Sequence, residues 1–254
     1  MVNYLNEFQD FIKTLAEESA KVIRPYFRSK ISIEQKSDLS PVTIADKKAE
    51  ETLRNLIQKE FPEHGIIGEE FGEENIDAEY VWVLDPIDGT KSFICGALSF
   101  GTLIALLHNN KPVLGVINHP ILNEFLIGDN YNTYLNGKSV FVRNTSSLSE
   151  AVLLVTDHIH SEKYLVKEKF ENLINSVKIY RNWGDCYGYY LLSTGFADIM
   201  IDPIMSVWDK MALIPIVRGA GGMITDCKGN DPETGSNILA ASNSLHSSVL
   251  KYLL

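Results

Sequence analysis

Two aspartates, Asp85 and Asp88, flank a proline directly after the apolar run 80–84. Proline fixes its own φ and keeps the preceding residue extended, so we predict that Asp85 ends a buried strand and that the chain turns at once. The two carboxylates can then converge, and hard cations such as Mg²⁺ take carboxylate, carbonyl and water oxygens as ligands. Gly89 allows a close approach to the backbone, and a helix that starts there would direct N–H groups at an anion. The stretch could therefore hold a metal ion and a phosphate together.

Two other interpretations of this stretch were weighed against a metal site. Asp, Pro and Gly are the usual residues of a plain turn, and that interpretation stays open. An EF-hand loop that starts at Asp85 needs oxygen-bearing side chains at its third and fifth positions and Glu at its twelfth. This chain has Ile87, Gly89 and Gly96 there, which excludes the calcium loop.

A metal cluster needs further acidic residues, and each candidate has a structural alternative. The candidates are Glu69, Asp209 and Asp46. Glu69 lies in an acidic run that is typical of a protein surface. Asp209 follows Ser206 by three residues and Asp46 follows Thr43 by three, which is the spacing of a helix capping box. Taken singly, each residue therefore fits a structural role.

Composition excludes several classes of protein. The chain has 254 residues, 45% of them hydrophobic, which is enough for a sizeable core. A formal charge of −10 disfavours nucleic-acid binding, which requires clustered lysine and arginine. The three cysteines lie far apart without CxxC spacing, so neither a disulfide framework nor a zinc–thiolate site is indicated. HExxH, GxxxxGK(S/T) and GxGxxG patterns are missing, which argues against zinc proteolysis, ATP hydrolysis and dinucleotide chemistry.

The cysteine pattern and the N-terminal residues also bear on location. Unpaired cysteines favour a reducing compartment. The first residues are partly polar and no run of about 18 apolar residues occurs, so we predict a cytoplasmic protein without a secretion signal or a membrane span.

Hydrophobic periodicity predicts helices and a mainly antiparallel sheet in the first half. Apolar residues recur mostly three or four apart from Leu5 to Tyr26, which predicts a long amphipathic helix. A second helix is predicted at about 44–60, with Thr43 as its N-cap and its end before Pro62. Strands are predicted at 81–84, 102–107 and 113–117, with a hairpin turn at 108–112.

Strand-like and helix-like segments alternate in the second half, which predicts an α/β layer. The segments are 152–156, 164–174, a helix from about 185, 197–201 and a helix from about 208. No repeat or flexible linker separates the halves. We therefore predict an α+β part (1–142) and an α/β part (143–254) that pack as one unit, with room for a site between them.

Four segments together resemble the inositol monophosphatase family of Mg²⁺-dependent phosphomonoesterases. They occur in the family's order and spread over most of the chain. The segments are Asp38-Leu39-Ser40-Pro41-Val42-Thr43-Ile44-Ala45-Asp46, Gly68-Glu69-Glu70, Leu84-Asp85-Pro86-Ile87-Asp88-Gly89-Thr90, and Trp208-Asp209 followed by Gly219-Ala220-Gly221-Gly222. Four linked motifs outweigh the structural interpretations of the single residues.

This resemblance implies a layered α-β-α-β-α sandwich of the inositol monophosphatase and fructose-1,6-bisphosphatase type, commonly a homodimer. It implies two to three Mg²⁺ ions per site, with Asp85 bridging two of them. The implied ligands are Glu69, Asp85, the carbonyl of Ile87, Asp88 and Asp209; all but Asp209 lie in 1–142. Thr90 and Asp46, together with Glu69, would serve catalysis by direct water attack, and Gly89 and Thr90 would hold the phosphate.

Residues 182–190 (Asn-Trp-Gly-Asp-Cys-Tyr-Gly-Tyr-Tyr) look like the histidinol-phosphate phosphatase branch of that family. Inositol-specific members typically have a small-residue Gly-Ser/Thr-Ala-Ala stretch here, and 88–93 and 212–215 also match the branch. Histidinol phosphate carries a cationic amine, which a carboxylate favours over the neutral hydroxyls of inositol phosphate. The implied substrate residues are Gly184, Asp185, Cys186 and Asp202, with Trp183, Tyr187 or Tyr189 packing against the imidazole. From the residues alone, Asp185 equally fits a helix N-cap, and the tyrosines equally fit a stripe of core residues.

We therefore expect a phosphatase that acts on a small phosphate monoester, L-histidinol phosphate, in histidine biosynthesis, without nucleic-acid or membrane partners. The alternatives are an inositol-1-monophosphatase, a broad-specificity phosphatase and, in another class, a catalytically idle regulator that binds metal or phosphate. Two local questions stay open. Lys91 either adds charge near the phosphate or is solvated, and Pro215 removes a backbone donor from the helix expected after Asp209.

Overall fold

The computed structural model describes residues 4–30, 33–35 and 41–254, so residues 38–40 of the first matching segment lie outside the described residues. In the described part, the helices are α1 (Tyr4–Ile23), α2 (Ile44–Glu60), α3 (Thr90–Ile94), α4 (His158–Tyr164), α5 (Lys167–Ser176), α6 (Asp185–Ser193), α7 (Val207–Lys210), α8 (Leu213–Gly219) and α9 (Asn243–Leu253). The strands are β1 (Ile33–Gln35), β2 (Pro41–Thr43), β3 (Gly65–Gly68), β4 (Gly72–Glu74), β5 (Tyr80–Asp88), β6 (Gly101–His108), β7 (Lys111–His119), β8 (Glu124–Gly128), β9 (Thr133–Leu135), β10 (Lys138–Ser139), β11 (Val152–Val155), β12 (Ile179–Arg181), β13 (Ile199–Asp202), β14 (Gly222–Thr225) and β15 (Ile238–Ser242).

An eight-stranded sheet has the order β10-β9-β8-β7-β6-β5-β3-β4. Its neighbouring strands are antiparallel except β3 and β5, which run parallel. The mainly antiparallel sheet predicted for the first half is therefore confirmed. β5 lies inside this sheet, between β3 and β6, and ends in the motif that contains Asp85 and Asp88.

A second sheet of five strands has the order β12-β11-β13-β15-β14. β11 runs parallel to both β12 and β13, whereas β15 is antiparallel to β13 and β14. The pairing aligns Val155 with Ile201 near the C-terminal ends of β11 and β13. Because parallel strands end at the same edge, the residues that follow, Thr156 and Asp202, lie side by side.

Five layers stack on one another: α1 and α2, the eight-stranded sheet, α6 and α8, the five-stranded sheet, and α5 with α9. Successive side chains of a strand point to opposite faces of the sheet, so each face packs against a different layer. In β5, Trp82 and Leu84 pack on the α1–α2 side, while Val81 and Val83 pack on the α6–α8 side. The predicted α-β-α-β-α sandwich is confirmed. The division at residue 142 stays a prediction, although one core cluster contains residues from both sheets. None of the described helices combines the length and apolar character that a bilayer span requires.

Local sequence signals account for the elements that were predicted well. Thr43 caps α2 as predicted, because its hydroxyl accepts from the N–H of Ala45 while Asp46 accepts from the N–H of Thr43. The turn between β6 and β7 is shorter than predicted and consists of Asn109 and Asn110, with φ of 49° and 63°. Asparagine tolerates this left-handed conformation, which two-residue hairpin turns require.

Two predicted helices are divided in the structure. The segment predicted at 164–174 is the end of α4 and most of α5, because Leu165 and Val166 are extended between them. The helix expected from about 208 is α7 followed by α8. Pro215 is the third residue of α8, where a missing N–H removes no intrahelical bond, so it leaves the turn that carries Asp209 intact.

Helix α8 lies directly on the first sheet at two glycines. A Cβ atom at Gly115 of β7 would overlap the carbonyl of Ala212, and one at Gly128 of β8 would lie 2.5 Å from the Cα of Ile216. Side chains at these positions would push away the segment that follows Asp209. The absence of side chains here therefore lets the helix lie close to the sheet.

We expect Gly115→Ala to lower the free energy of unfolding by about 2 kcal/mol or more, because the backbone must shift to admit the methyl group. Gly137→Ala is the matched control, since its Cβ would meet nothing within 4 Å and only its φ of 79° is unfavourable. That strain costs about 1–2 kcal/mol. Urea denaturation followed by circular dichroism compares the two, and an equal or smaller loss at Gly115 would contradict the close contact.

Candidate active site

Three carboxylates meet at the C-terminal end of β5. Oxygen atoms of Asp85, Asp88 and Asp209 all lie within 4.8 Å of one another. The β5–β6 pairing shifts register between Asp85 and Asp88, and such a bulge re-aims side chains. The hydroxyl of Thr102 donates to the carbonyl of Pro86 at 2.8 Å and fixes this bend. The structure thus brings Asp85 and Asp88 together as expected from the Asp-Pro-Ile-Asp spacing.

Burial and mutual repulsion disfavour the charged forms of these acids. Burial, followed by the charges of Glu69, Asp88 and Asp209, raises the pKa of Asp85 well above its usual range. Burial raises the pKa of Asp88 in the same way, with Asp185 and Asp209 adding to the effect. Like charges this close cannot all ionise without a compensating cation.

The donor set fits a hard cation. The Oδ1 atom of Asp85 is buried and has no hydrogen-bond partner in the described part of the chain. A buried carboxylate oxygen without a donor is costly unless a cation binds it. The three clustered ligand atoms are carboxylate oxygens, which suits Mg²⁺ better than Zn²⁺.

Glu69 lies beside this cluster at the end of β3. Its charge contributes to the raised pKa of Asp85. Its peptide N–H donates to the carbonyl of Leu84 at 3.2 Å, which fixes the end of β3 against β5. A fourth carboxylate therefore lies next to the cluster.

A buried carboxylate on α2 holds the loop that follows Glu69. Glu50 is fully buried, and its two oxygens accept from the peptide N–H groups of Glu70 at 2.7 Å and Phe71 at 3.1 Å. Arg54, one turn later, donates to Glu50 at 2.8 Å. Sequence reasoning missed Glu50, because helical spacing to Arg54 is an ordinary surface pattern.

Asp46 combines a capping role with contact to Thr90. Its Oδ2 accepts from the N–H and hydroxyl of Thr43 at 2.9 and 2.6 Å. Its Oδ1 lies 3.5 Å from the hydroxyl of Thr90, which also lies 3.1 Å from the carbonyl of Ile87. Burial raises the pKa of Asp46 despite the opposing hydrogen bonds from Thr43. One carboxylate therefore caps the helix and also faces Thr90.

Asp209 likewise closes the capping box of α7. The peptide N–H of Ser206 donates to its Oδ2 at 2.7 Å. The next residue, Lys210, is buried and donates to the carbonyls of Pro232 and Glu233 at 3.0 Å each. The short helix that presents Asp209 is thereby fixed at both ends.

Two cavities open beside the carboxylates. The outer cavity, of ≈ 280 Å³, is lined by residues that include Glu69, Gly89, Thr90 and Lys91. The inner cavity, of ≈ 90 Å³, is lined by residues that include Asp88, Asp202, Asp209, Ile204 and Met205. Both cavities share Thr156, Asp157, His160 and Asp185. A phosphate ester could thus extend from the outer cavity into the inner one.

Helix α3 begins at Thr90, with Gly89 as its N-cap at φ 85°. The helix start expected at Gly89 is therefore present. Lys91 is exposed and lines the outer cavity. Its positive charge favours the charged forms of Asp157 and Asp185. A positive charge thus faces the cavity mouth.

The start of α6 carries the predicted substrate residues. Gly184 is the N-cap and Asp185 the first helical residue, so the N-cap interpretation of Asp185 is wrong. The N–H of Cys186 donates to the carboxylate of Asp88, which joins this turn to the metal cluster. Burial, followed by the charge of Asp202, raises the pKa of Asp185 to about 7, while Lys91 opposes the shift.

Asp202 is buried at the end of β13 and is already hydrogen-bonded. It accepts from the N–H of Thr156 at 3.3 Å and from the hydroxyl of Tyr189 at 2.9 Å. These bonds hold the side chain of Asp202 in place. The residue lines the wall of the inner cavity.

The expected aromatic contact to an imidazole needs correction. Tyr189 is fully buried, and neither Trp183 nor Tyr187 is among the residues that line the two cavities. Tyr187 instead stacks on Tyr190. The apolar wall of the inner cavity consists of Pro203, Ile204, Met205 and Leu213. The tyrosines form part of the core, which is the other interpretation that the residues alone allowed.

Sequence reasoning also missed three residues that line both cavities. They are Thr156, Asp157 and His160. Asp157 caps α4 by accepting from the N–H groups of Ile159 and His160, a pattern that an aspartate before a helix could have signalled. The other two carry no local signal, because their position depends on the pairing of β11 with β13.

Comparison with known proteins places these observations in a family. The model of the inositol monophosphatase family matches residues 5–253. The chain is 44% identical over 265 residues to the bifunctional phosphatase IMPL2, chloroplastic, of Arabidopsis thaliana, covering 98% of this chain and 75% of the relative. It is 37% identical to a histidinol-phosphatase of Chlorobaculum parvum, covering 91% and 90%. A solved inositol monophosphatase from Zymomonas mobilis has a TM-score of 0.87 at 39% identity, with 97% and 98% covered.

We expect the stability of the metal-free protein to depend on Asp185 above about pH 5. A carboxyl whose folded pKa is raised stabilises the fold below its unfolded pKa of about 4, and this stabilisation is lost as the pH rises through about 7. Asp185→Asn should therefore raise Tm relative to wild type by an amount that grows between about pH 5 and about pH 8. Thermal unfolding with a chelator present measures this difference.

Comparison with wild type is needed because three histidines have pKa values lowered by burial, and their titration raises stability with pH over the same range. They are His64, His119 and His246. Asp157→Asn is the matched control. The pKa of Asp157 is lowered, so its titration is complete below this range and its effect on Tm should stay constant. A constant effect of Asp185→Asn would contradict the raised pKa.

Proposed function

Because the chain belongs to the inositol monophosphatase family of metal-dependent phosphatases, we propose that it is a Mg²⁺-dependent enzyme that hydrolyses L-histidinol phosphate to L-histidinol and phosphate. Hydrolysis of a phosphate monoester is the family's activity, and the chain is a phosphatase on that ground. The metal, the substrate and the residue roles below are our proposals.

The observation that carries the choice of substrate is the excess of acidic side chains around the inner cavity. Asp157, Asp185 and Asp202 line it together with Asp88 and Asp209. If bound cations neutralise Asp88 and Asp209, the other three still favour a positively charged leaving group. Histidinol carries an ammonium group, and the apolar wall at Ile204 and Met205 offers a surface for its ring.

The names of similar proteins support this proposal without distinguishing all substrates. The relative from Chlorobaculum parvum is a histidinol-phosphatase. The relative from Arabidopsis thaliana is a bifunctional phosphatase, and the solved neighbour is an inositol monophosphatase. Inositol 1-phosphate hydrolysis is therefore the second candidate.

The proposed metal site uses the clustered carboxylates. Glu69, Asp85, Asp88, Asp209 and the carbonyl of Ile87 would hold two to three Mg²⁺ ions. Three ions bring a charge of about +6, against −4 from the carboxylates and about −1.5 to −2 from the phosphate, so the filled site is nearly neutral. When bound, such ions make water a stronger nucleophile and stabilise the leaving oxygen.

The chain's own residues would orient the attacking water and hold the phosphate. Thr90 and Asp46 lie 3.5 Å apart and can bind a water molecule and accept its proton. The raised pKa of Asp46 makes it a better base than an exposed aspartate. Gly89 and Thr90 would contact the phosphate from the outer cavity. Water attacks phosphorus directly in this scheme, so a phosphorylated protein intermediate would contradict it.

The setting of the enzyme is proposed on chemical grounds. The product, an amino alcohol with an imidazole ring, suits a step of histidine biosynthesis. We propose a cytoplasmic homodimer with no nucleic-acid partner, since the net charge of −10 disfavours one.

We expect wild type to release phosphate from L-histidinol phosphate with a kcat/KM at least about a hundredfold above that for myo-inositol 1-phosphate, which corresponds to about 2.7 kcal/mol. Release from both esters should require Mg²⁺. Asp88→Asn should lower kcat/KM on both by at least about a hundredfold, because it removes a proposed ligand. Preference for the inositol ester would support the second candidate, whereas Mg²⁺ binding by calorimetry without turnover would support an idle regulator.

We expect Asp185→Asn to lower kcat/KM for L-histidinol phosphate by about tenfold or more and that for myo-inositol 1-phosphate by less than about threefold. Asparagine is chosen because it keeps the shape and tolerates the φ of 50° at this position. Asp77→Asn, an exposed residue, controls for the change in net charge. Equal losses on the two esters would refute recognition of the amine by Asp185.

A further inference from the structure

Thr156 lies where the two cavities meet. It follows β11 directly, lines both cavities, and precedes Asp157, the N-cap of α4. Its side chain is neutral, and neither the motifs nor the charge pattern of the sequence singles it out. Its contacts nevertheless join the two acidic residues proposed to face the leaving group.

Thr156 contacts both Asp185 and Asp202. The peptide N–H of Asp185 donates to Oγ1 of Thr156 at 2.8 Å. The peptide N–H of Thr156 in turn donates to Oδ1 of Asp202 at 3.3 Å. The side chain of Thr156 therefore binds the backbone of one acid, and its backbone binds the carboxylate of the other.

The backbone at Asp185 depends on this neighbour. Its φ of 50° lies in the left-handed region, which residues other than glycine rarely adopt. Gly184 approaches Thr156 so closely that a Cβ atom would overlap the Cα and the hydroxyl of Thr156. Such conformations persist only where the surrounding structure holds them. The hydrogen bond to Thr156 is one of the contacts that hold this turn.

Asp202 depends on Thr156 from the other side. It is buried, and Tyr189 donates to it at 2.9 Å. The second donor to this carboxylate is the peptide N–H of Thr156, and hydrogen bonds to a carboxylate favour its charged form. A single residue therefore supports the geometry of one acid and the charge of the other.

We propose that Thr156 is a positioning residue for substrate specificity, which holds Asp185 through its hydroxyl and Asp202 through its peptide N–H in the arrangement that faces the leaving group. The identity of that group, a cationic amino alcohol, rests on the proposed function. The positioning itself concerns whichever alcohol the inner cavity accepts. The hydroxyl contact to Asp185 lies on the leaving-group side, so its loss should affect the choice of ester more than the hydrolysis itself.

The test compares Thr156→Val, which keeps the shape but loses the hydroxyl, with Thr156→Ser, which keeps the hydroxyl. Valine should lower kcat/KM for L-histidinol phosphate by about tenfold. It should lower kcat/KM for glycerol 2-phosphate, whose alcohol group is uncharged, by less than about threefold. Serine should retain the wild-type ratio between the two esters. Thr194→Val is the matched control, because the hydroxyl of Thr194 bonds the carbonyl of Tyr190 at the opposite end of α6.

Product inhibition distinguishes a positioning role of Thr156 from a purely structural one. L-Histidinol should inhibit the hydrolysis of glycerol 2-phosphate about tenfold more weakly in Thr156→Val, while inhibition by inorganic phosphate stays within about twofold. Equal losses on both esters, or unchanged inhibition by L-histidinol, would overturn the proposal. If Thr156→Val does not fold, Thr156→Ala is measured in the same way.

A double-mutant cycle separates this proposal from the proposed function. If Thr156 acts through Asp185, Thr156→Val should add little further loss of selectivity in an Asp185→Asn background, whereas independent effects would add. If wild type prefers myo-inositol 1-phosphate, the proposed function is wrong, and the cycle is run on that ester. Coupling there would still support positioning by Thr156, and additivity would overturn it.

Discussion

Repulsion among clustered carboxylates is the constraint on which the site depends. Asp85, Asp88 and Asp209 have oxygen atoms within 4.8 Å of one another, and burial raises the pKa values of the first two. A bulged strand inside the eight-stranded sheet holds Asp85 and Asp88 there. A short helix, whose last residue Lys210 is bonded to a neighbouring loop, holds Asp209. Packing of the surrounding layers stabilises the fold enough to offset this repulsion, and a bound cation would relieve the repulsion. Stability without metal and affinity for metal are thus opposed in this protein.

Two acidic residues serve the fold and the site at once. Asp46 caps α2 through Thr43 and contacts Thr90, and Asp209 closes the capping box of α7 while joining the carboxylate cluster. One oxygen of each carboxylate binds the helix terminus, so the orientation of the other follows from secondary structure. An alanine substitution at either position therefore removes a cap and a site residue together, and loss of activity alone would not distinguish the two.

The sequence predicts the parts of the fold that depend on local signals. Helix α2 was predicted with its cap, because Thr43 and Asp46 have capping-box spacing, and the convergence of Asp85 and Asp88 follows from the proline between them. The short strands β9, β10, β12 and β14 escaped prediction, and so did the longer β8 and β15. The apolar wall at Ile204, the buried position of Tyr189 and the contacts of Thr156 depend on how β11, β13 and α6 pack together. Residues far apart in sequence create these features, and no single segment contains a signal for them.

The two large sheets contribute different parts of the site. In the eight-stranded sheet, Glu69 follows β3, and Asp85 and Asp88 lie near the end of β5. In the five-stranded sheet, Thr156 follows β11 and Asp202 ends β13. Asp185 begins a helix between the sheets. Mutations in the loops after β11, β12 and β13 can therefore reshape the inner cavity while the bulge in β5 is left unchanged. Divergence of substrate within such a fold needs no new hydrolytic machinery, because natural selection can alter one wall of the cleft at a time.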